Sequence, residues 1–212
     1  MTATSTELKP SVQIPAPMAE IVQAGREALN RGDLVTARDC FVKVTQLYPG
    51  EAVGHNNLGA FYMGLGDHAL AAECFTRVLD LLPDNPNIRF NLAVAKFALG
   101  EYRQAAVEFA SVAEMTPADP EVFNNLGSAR FSAGDLVSAR RDFLTALQLH
   151  PNYPSAVLNL CELEQAAGDP DAALGLCAAY LEHHRDLGVL RRFLELQDAR
   201  AAAALRAQSA TS

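Results

Sequence analysis

Apolar and small residues return along this chain at a fixed interval of 34 residues. Phe41, Phe75, Phe109 and Phe143 form one column, and Ala37, Ala71, Ala105, Ala139 and Ala173 a second. Leu58, Leu92, Leu126 and Leu160 form a third, followed by Gly59, Ala93 and Gly127 until Cys161 breaks the rule. Polar positions keep the same beat. An asparagine precedes each of those leucines, at Asn57, Asn91, Asn125 and Asn159, with Gln23 in the corresponding place of the first period. A glycine and an acid recur as Gly32-Asp33, Gly66-Asp67, Gly100-Glu101, Gly134-Asp135 and Gly168-Asp169, and four periods close on Pro49, Pro83, Pro117 and Pro151.

Each column has a physical reading. Glycine adopts the left-handed conformation cheaply, so it ends one helix, and the acid after it stands where it can cap or charge-match the next. Proline lacks the donor that a helix interior requires and stops the second helix. The pattern predicts helical hairpins with about 14 residues, or roughly 20 Å, per helix. The alanine column is expected to oppose Gly25, Gly59, Ala93 and Gly127, drawing the two backbones together, with each phenylalanine filling the space beside that contact.

A period of 34 residues bearing these side chains resembles the tetratricopeptide repeat. The resemblance covers residues 18–187. It implies an all-α fold, a right-handed α-solenoid of five hairpins at 18–51, 52–85, 86–119, 120–153 and 154–187. Beyond Gly188, the amphipathic Val189, Leu190, Phe193 and Leu194 continue into Ala201–Leu205 and predict a capping helix over 188–206, with a disordered tail at 207–212. The fifth period departs from the pattern where its neighbour is no longer a repeat, at Cys161, Cys177, Tyr180 and Arg185. Residues 1–17, with Pro10, Pro15 and Pro17, read as a flexible arm.

The resemblance also locates function. In the family the first helices line a concave groove, which here implies a peptide-binding set of Gln23, Arg26, Asn56, Asn57, Phe90, Asn91, Val94, Asn124, Asn125 and Asn159. The asparagines resemble the ladder by which some family members hold peptide backbone, since the amide carries both a donor and an acceptor. Phe90, Val94, Phe97 and Phe131 are expected to offer an apolar patch, with packing between repeats as the alternative for Phe97 and Phe131. Arg130 and Glu164, one rung apart, are expected to pair. The family's clamp for acidic chaperone tails needs basic side chains where this chain has Val22 and Asn87, so an acidic tail is not the expected ligand. The implied function is that of a non-catalytic adaptor for a protein or peptide partner. The alternative is a scaffold whose terminal segments dock into a neighbouring copy, giving a homo-oligomer.

Composition narrows the field. Half the residues are hydrophobic and 20% charged, and the net charge of −8 argues against nonspecific nucleic-acid binding, which needs Lys and Arg on phosphate. No apolar run reaches the ~20 residues of a membrane span, and Met1–Met18 lacks a basic leader, so a cytoplasmic protein without membrane insertion is expected. The four cysteines have no zinc-like spacing; Cys161 and Cys177 could meet across a hairpin, though spacing alone does not establish a disulfide. His183 and His184 point in different directions on a helix. No metal, cofactor or catalytic set is expected.

Overall fold

Gly32, Gly66, Gly100, Gly134 and Gly168 all take positive φ, between 77° and 88°, and each ends the first helix of a hairpin as the sequence requires. At Gly66 the geometry is a doubly closed helix end. The Gly66 N–H donates to the Met63 carbonyl at 3.1 Å, and the Asp67 N–H to that of Tyr62 at 2.9 Å. The next helix then starts on a cap. The carboxylates of Asp33, Asp67, Asp135 and Asp169 accept from the backbone N–H of Thr36, Leu70, Ser138 and Ala172. Hydrogen bonds from Thr36 and Ser138, through side chain and backbone, hold the Asp33 and Asp135 carboxyls below their ordinary value. Glu101, one methylene longer, makes no capping bond.

The computed structural model describes residues 16–210, the side chains of 208 and 210 excepted, and among them it contains eleven helices and no strand. They are α1 (Ala16–Asn30), α2 (Leu34–Leu47), α3 (Ala52–Leu65), α4 (His68–Leu81), α5 (Pro86–Ala98), α6 (Tyr102–Met115), α7 (Pro120–Ser132), α8 (Leu136–Leu149), α9 (Pro154–Ala166), α10 (Pro170–His183) and α11 (Leu187–Ala210). Successive helices pair into five antiparallel hairpins, and α11 follows. Two elements run past their expected ends. Helix α1 begins within the segment expected to be a flexible arm, whose residues 1–15 lie outside the described part. Helix α11 continues through 207–210, where a disordered tail was expected.

The chain divides into two units, residues 1–83 with α1–α4 and residues 84–212 with α5–α11. In the first, Ala28, Ala37, Phe41, Leu58 and Phe61 form one core cluster and Met18, Val22 and Val44 another. The second is built on Ala93, Ala105, Phe109, Val112, Val122, Leu126 and Ala129, then on Ala139, Phe143, Leu160 and Leu163. A third cluster joins Cys161, Cys177 and Tyr180 to Val189 and Leu196 of α11, which is how the last helix covers the fifth hairpin. Asp186 caps that helix, accepting from the Val189 N–H at 2.9 Å.

The close contact within each hairpin differs in detail from the expected one. A Cβ on Gly25, Gly59 or Gly127 would lie 2.6–2.7 Å from the ring of Phe41, Phe75 or Phe143 respectively. The small residue makes room for the phenylalanine ring, and the buried alanine four positions earlier packs beside that contact.

Candidate functional site

The first helices present two columns away from the core. In the first unit Gln23 and Arg26 are exposed and Asn57 is half-buried; in the second Asn91, Asn125 and Asn159 are half-buried. The amides of Asn57, Asn125 and Asn159 are not idle. Asn57 Nδ2 donates to the Val53 carbonyl at 2.7 Å, and Asn125 Nδ2 to that of Glu121 at 2.9 Å, each one turn back on its own helix. Asn159 Nδ2 donates to Asn124 Oδ1 at 2.9 Å and to Ser128 Oγ at 3.3 Å, tying α9 to α7. With these three nitrogens engaged inside the fold, their oxygens are the groups left to act. Asn57 Oδ1 accepts from Arg26 Nε at 3.3 Å, whereas those of Asn125 and Asn159 accept no hydrogen bond among the described residues. Gln23 donates to Glu27 on the same helix.

In the neighbouring column, where Asn56, Phe90 and Asn124 were expected in the groove, Val22 and Asn124 are the buried members. Val22 is buried against Val44, and Asn56 is half-buried in the first unit. In the second unit Phe90 sets its edge on Phe109 with ring centroids 5.3 Å apart, Asn124 is only 7% exposed, and Leu158 packs on the last core cluster. Val94 and Phe97 pack against the core around Phe109, and Phe131 against that around Phe143. Phe97 and Phe131 thus pack against neighbouring cores as expected of them, while both, like Phe90, stay half-buried. For Phe90 the helix rotation explains the packing: the position before Asn91 lies about 100° around the helix from it, toward Phe109 of α6.

The charged column at Lys96, Arg130 and Glu164 also differs from expectation, because Arg130 and Glu164 do not pair with each other. Lys96 Nζ lies 2.8 Å from Glu108, which also receives Arg89 at 2.9 Å, and Arg130 lies 2.6 Å from Asp142. Glu164 is bound by Arg140, whose Nε lies 2.6 Å from it. Burial pushes the Glu108 carboxyl up, but the hydrogen bonds and charges of Lys96 and Arg89 outweigh this and hold it below its ordinary value. At Asp142 burial prevails and holds the carboxyl above its ordinary value despite Arg130. These pairs brace the hairpins of the second unit.

Two hollows lie beside these columns, the first lined partly by Arg26 and Asn57 of the expected groove and the second away from it. In the first unit a hollow of about 220 Å³ is lined by Arg26, Leu29, Phe41, Asn57, Phe61 and Leu65, among others. In the second unit one of about 450 Å³ lies between α6 and the turn after α7, lined by Arg103, Ala106, Val107, Ala110, Arg130 and Asp135, among others. Val107 on its wall is 66% exposed, a large apolar residue at a repeat position where nothing in the period demanded one. No group of three or more metal-ligating side chains occurs among the described residues, and no helix among them is long and apolar enough to cross a membrane.

Comparison with known proteins places this arrangement. A family model described as tetratricopeptide repeat matches residues 62–126 and 130–208, and a second of the same description matches 22–86. Among solved structures, MamA from Desulfovibrio magneticus RS-1, residue 41 to its end, superposes with a TM-score of 0.75 at 18% identity, over 80% of this chain and 96% of that one. A tetratricopeptide repeat protein from Parabacteroides merdae ATCC 43184 gives 0.76 at 22% identity, over 88% of this chain and 76% of that one. YrrB, described as a protein of this type with an unusual peptide-binding site, gives 0.71 at 16% identity, over 82% of this chain and 90% of that one. At these identities the likeness is one of fold. No curated protein matches the sequence.

Proposed function

The chain belongs to the tetratricopeptide repeat family, and on that premise we propose that it is an adaptor which binds an extended or helical segment of a partner protein along its first-helix faces. Repeats of this kind build extended binding surfaces rather than reaction centres. The observation that supports the finer reading is the orientation of the amides. Asn125 and Asn159 have their nitrogens fixed within the fold and their oxygens uncommitted, so each offers a pre-oriented acceptor to a peptide N–H. Fixing the side chain in advance lowers the entropy lost on binding. Asn91 completes this column in the second unit, and Gln23, Arg26 and Asn57 supply the corresponding positions of the first. Asn124 serves the reading indirectly, as the acceptor that orients Asn159. Because main-chain N–H groups are common to all peptides, the column would supply affinity, and apolar positions such as Val94 would supply selectivity.

The reading is tested by parallel capture of binding partners on the parent protein and on the double variant Asn91→Ala, Asn125→Ala, with helicity checked for both. A partner retained by the parent and lost by the variant supports the reading; equal retention of every partner contradicts it.

The scaffold alternative has an observation of its own. Helix α11 leaves Leu187 85%, Leu194 50% and Leu205 66% exposed, apolar area that a neighbouring copy could cover. Sedimentation across a dilution series distinguishes it, because a scaffold gains mass with concentration and the adaptor does not.

A further inference from the structure

The contact that closes the first four hairpins is a small residue facing a phenylalanine; in the fifth it is a cysteine facing a cysteine. Cys161 of α9 stands in the column of Gly25, Gly59, Ala93 and Gly127, and Cys177 of α10 in the column of Phe41, Phe75, Phe109 and Phe143. Since a single Cβ on Gly127 would already come within 2.7 Å of Phe143, this is a place of very close approach between paired helices. In the fifth hairpin it brings Cys161 Sγ and Cys177 Sγ to 3.2 Å, with both residues fully buried. We propose that Cys161 and Cys177 are a dithiol modification site, oxidised by a hydroperoxide to an intrachain disulfide that fastens α9 to α10.

Geometry separates this pair from the other cysteines. An S–S bond of about 2.05 Å requires the two sulfurs to close by about 1.1 Å in total, a movement within reach of side-chain rotation and slight helix adjustment. Cys40 and Cys74 are half-buried in the first unit, one period apart, and neither has a sulfur partner among the described residues. Burial pushes the Cys74 thiol up to about 11, which leaves it little thiolate with which to attack an oxidant. Cys177 is buried too, which pushes its thiol up, but its neighbours outweigh burial. A hydrogen bond from Cys161 holds its thiol below the ordinary value, aided by the positive charge of Arg192 on α11. Cys161 can supply that bond by turning its S–H from the Ala173 carbonyl, 3.3 Å away, toward the Cys177 sulfur.

The chemistry runs in two displacements. The Cys177 thiolate attacks one peroxide oxygen; an S–O bond forms, the O–O bond breaks, and hydroxide leaves to take up a proton as water. Cys161 then attacks the Cys177 sulfur of the sulfenic acid; the S–S bond forms, the S–O bond breaks, and the departing oxygen takes the Cys161 proton and leaves as water. Two thiols lose two electrons, and hydrogen peroxide is reduced to two waters. Access is through α11, which covers the pair with Val189 and Leu196 while leaving most of its length exposed, so its local opening admits a small oxidant.

The test uses the full chain, reduced and then titrated with hydrogen peroxide, with the remaining thiols alkylated in denaturant and the peptides mapped by mass spectrometry. The expected result is a crosslink between Cys161 and Cys177, alkylated Cys40 and Cys74, full reversal by dithiothreitol, and a melting temperature several degrees higher in the oxidised form. Cys161→Ser should stop the reaction at a Cys177 sulfenic acid that dimedone captures. Four alkylated cysteines, a disulfide involving Cys40 or Cys74, or Cys177 driven to sulfinic acid while Cys161 remains alkylated would each overturn the proposal, and this mapping needs only the unsubstituted protein.

Discussion

A glycine in these hairpins has one of two jobs, and substitution tells them apart. Gly127 faces the ring of Phe143 at a distance no Cβ tolerates, so Gly127→Ala should cost about 1–3 kcal/mol by overpacking, and Phe143→Leu in the same chain should recover part of the loss. Gly175 lies in the exposed middle of α10 with open space where its Cβ would stand. Gly175→Ala should raise stability by about 0.4–1 kcal/mol, because it removes freedom from the unfolded chain and adds no clash. Urea unfolding of both variants checks the pair; equal effects of one sign would refute the assigned contact. The role of the glycine was legible as a need for smallness, but its true opposite was not. Which residue of α8 meets Gly127 depends on how that helix rotates about its axis, and a column of alanines and a column of phenylalanines four positions apart share one face.

Single elements carry the next level of detail. Four of the five second helices begin on an aspartate that caps them, and α6 begins on Glu101, which does not. Glu101→Asp should place the carboxylate on the N–H three residues ahead and add about 0.5–1 kcal/mol, read as a rise in melting temperature. Between elements, the ion pairs set the acid limit. Glu108 is held below its ordinary value of 4.5, so its contribution is fully present above that pH and is lost as the pH falls through the lower, folded-state value. Glu108→Gln should lower stability near neutrality and flatten the decline between pH 5 and 3; an unchanged slope would contradict the assignment. Asp142 is held above its ordinary value and contributes with the opposite sign. Glycine turns, caps and helix ends were readable because each is decided by a few consecutive residues. The pairs join charges twelve positions apart, Lys96 with Glu108 and Arg130 with Asp142, a spacing set by the hairpin rather than by the 34-residue period. The same spacing in the first unit gives uncharged pairs, Ala28 with Cys40 and Tyr62 with Cys74.

For the molecule as a whole, the question is whether the faces of the repeats or the terminal helix meets the partner. Past Leu196 every described side chain of α11 is exposed, and its Arg200–Asp171 bridge is an exposed pair of the kind that contributes little. Ending the chain after Asp198 should therefore leave the melting temperature nearly unchanged, while Leu196→Ala, within the buried cluster, should cost about 2–5 kcal/mol. The shortened chain also tests one part of the scaffold surface: self-association that depends on Leu205 weakens, and an adaptor keeps its client. The central claim is that the asparagine column of the second unit reads peptide backbone. It is tested most directly by calorimetric titration of a captured client segment into the parent and the Asn91→Ala, Asn125→Ala variant. Two hydrogen bonds at roughly 0.5–1.5 kcal/mol each predict a five- to hundredfold loss of affinity, approximately, at unchanged helicity. A variant that binds as tightly as the parent would contradict the claim and leave Asn125 as a brace of its own helix.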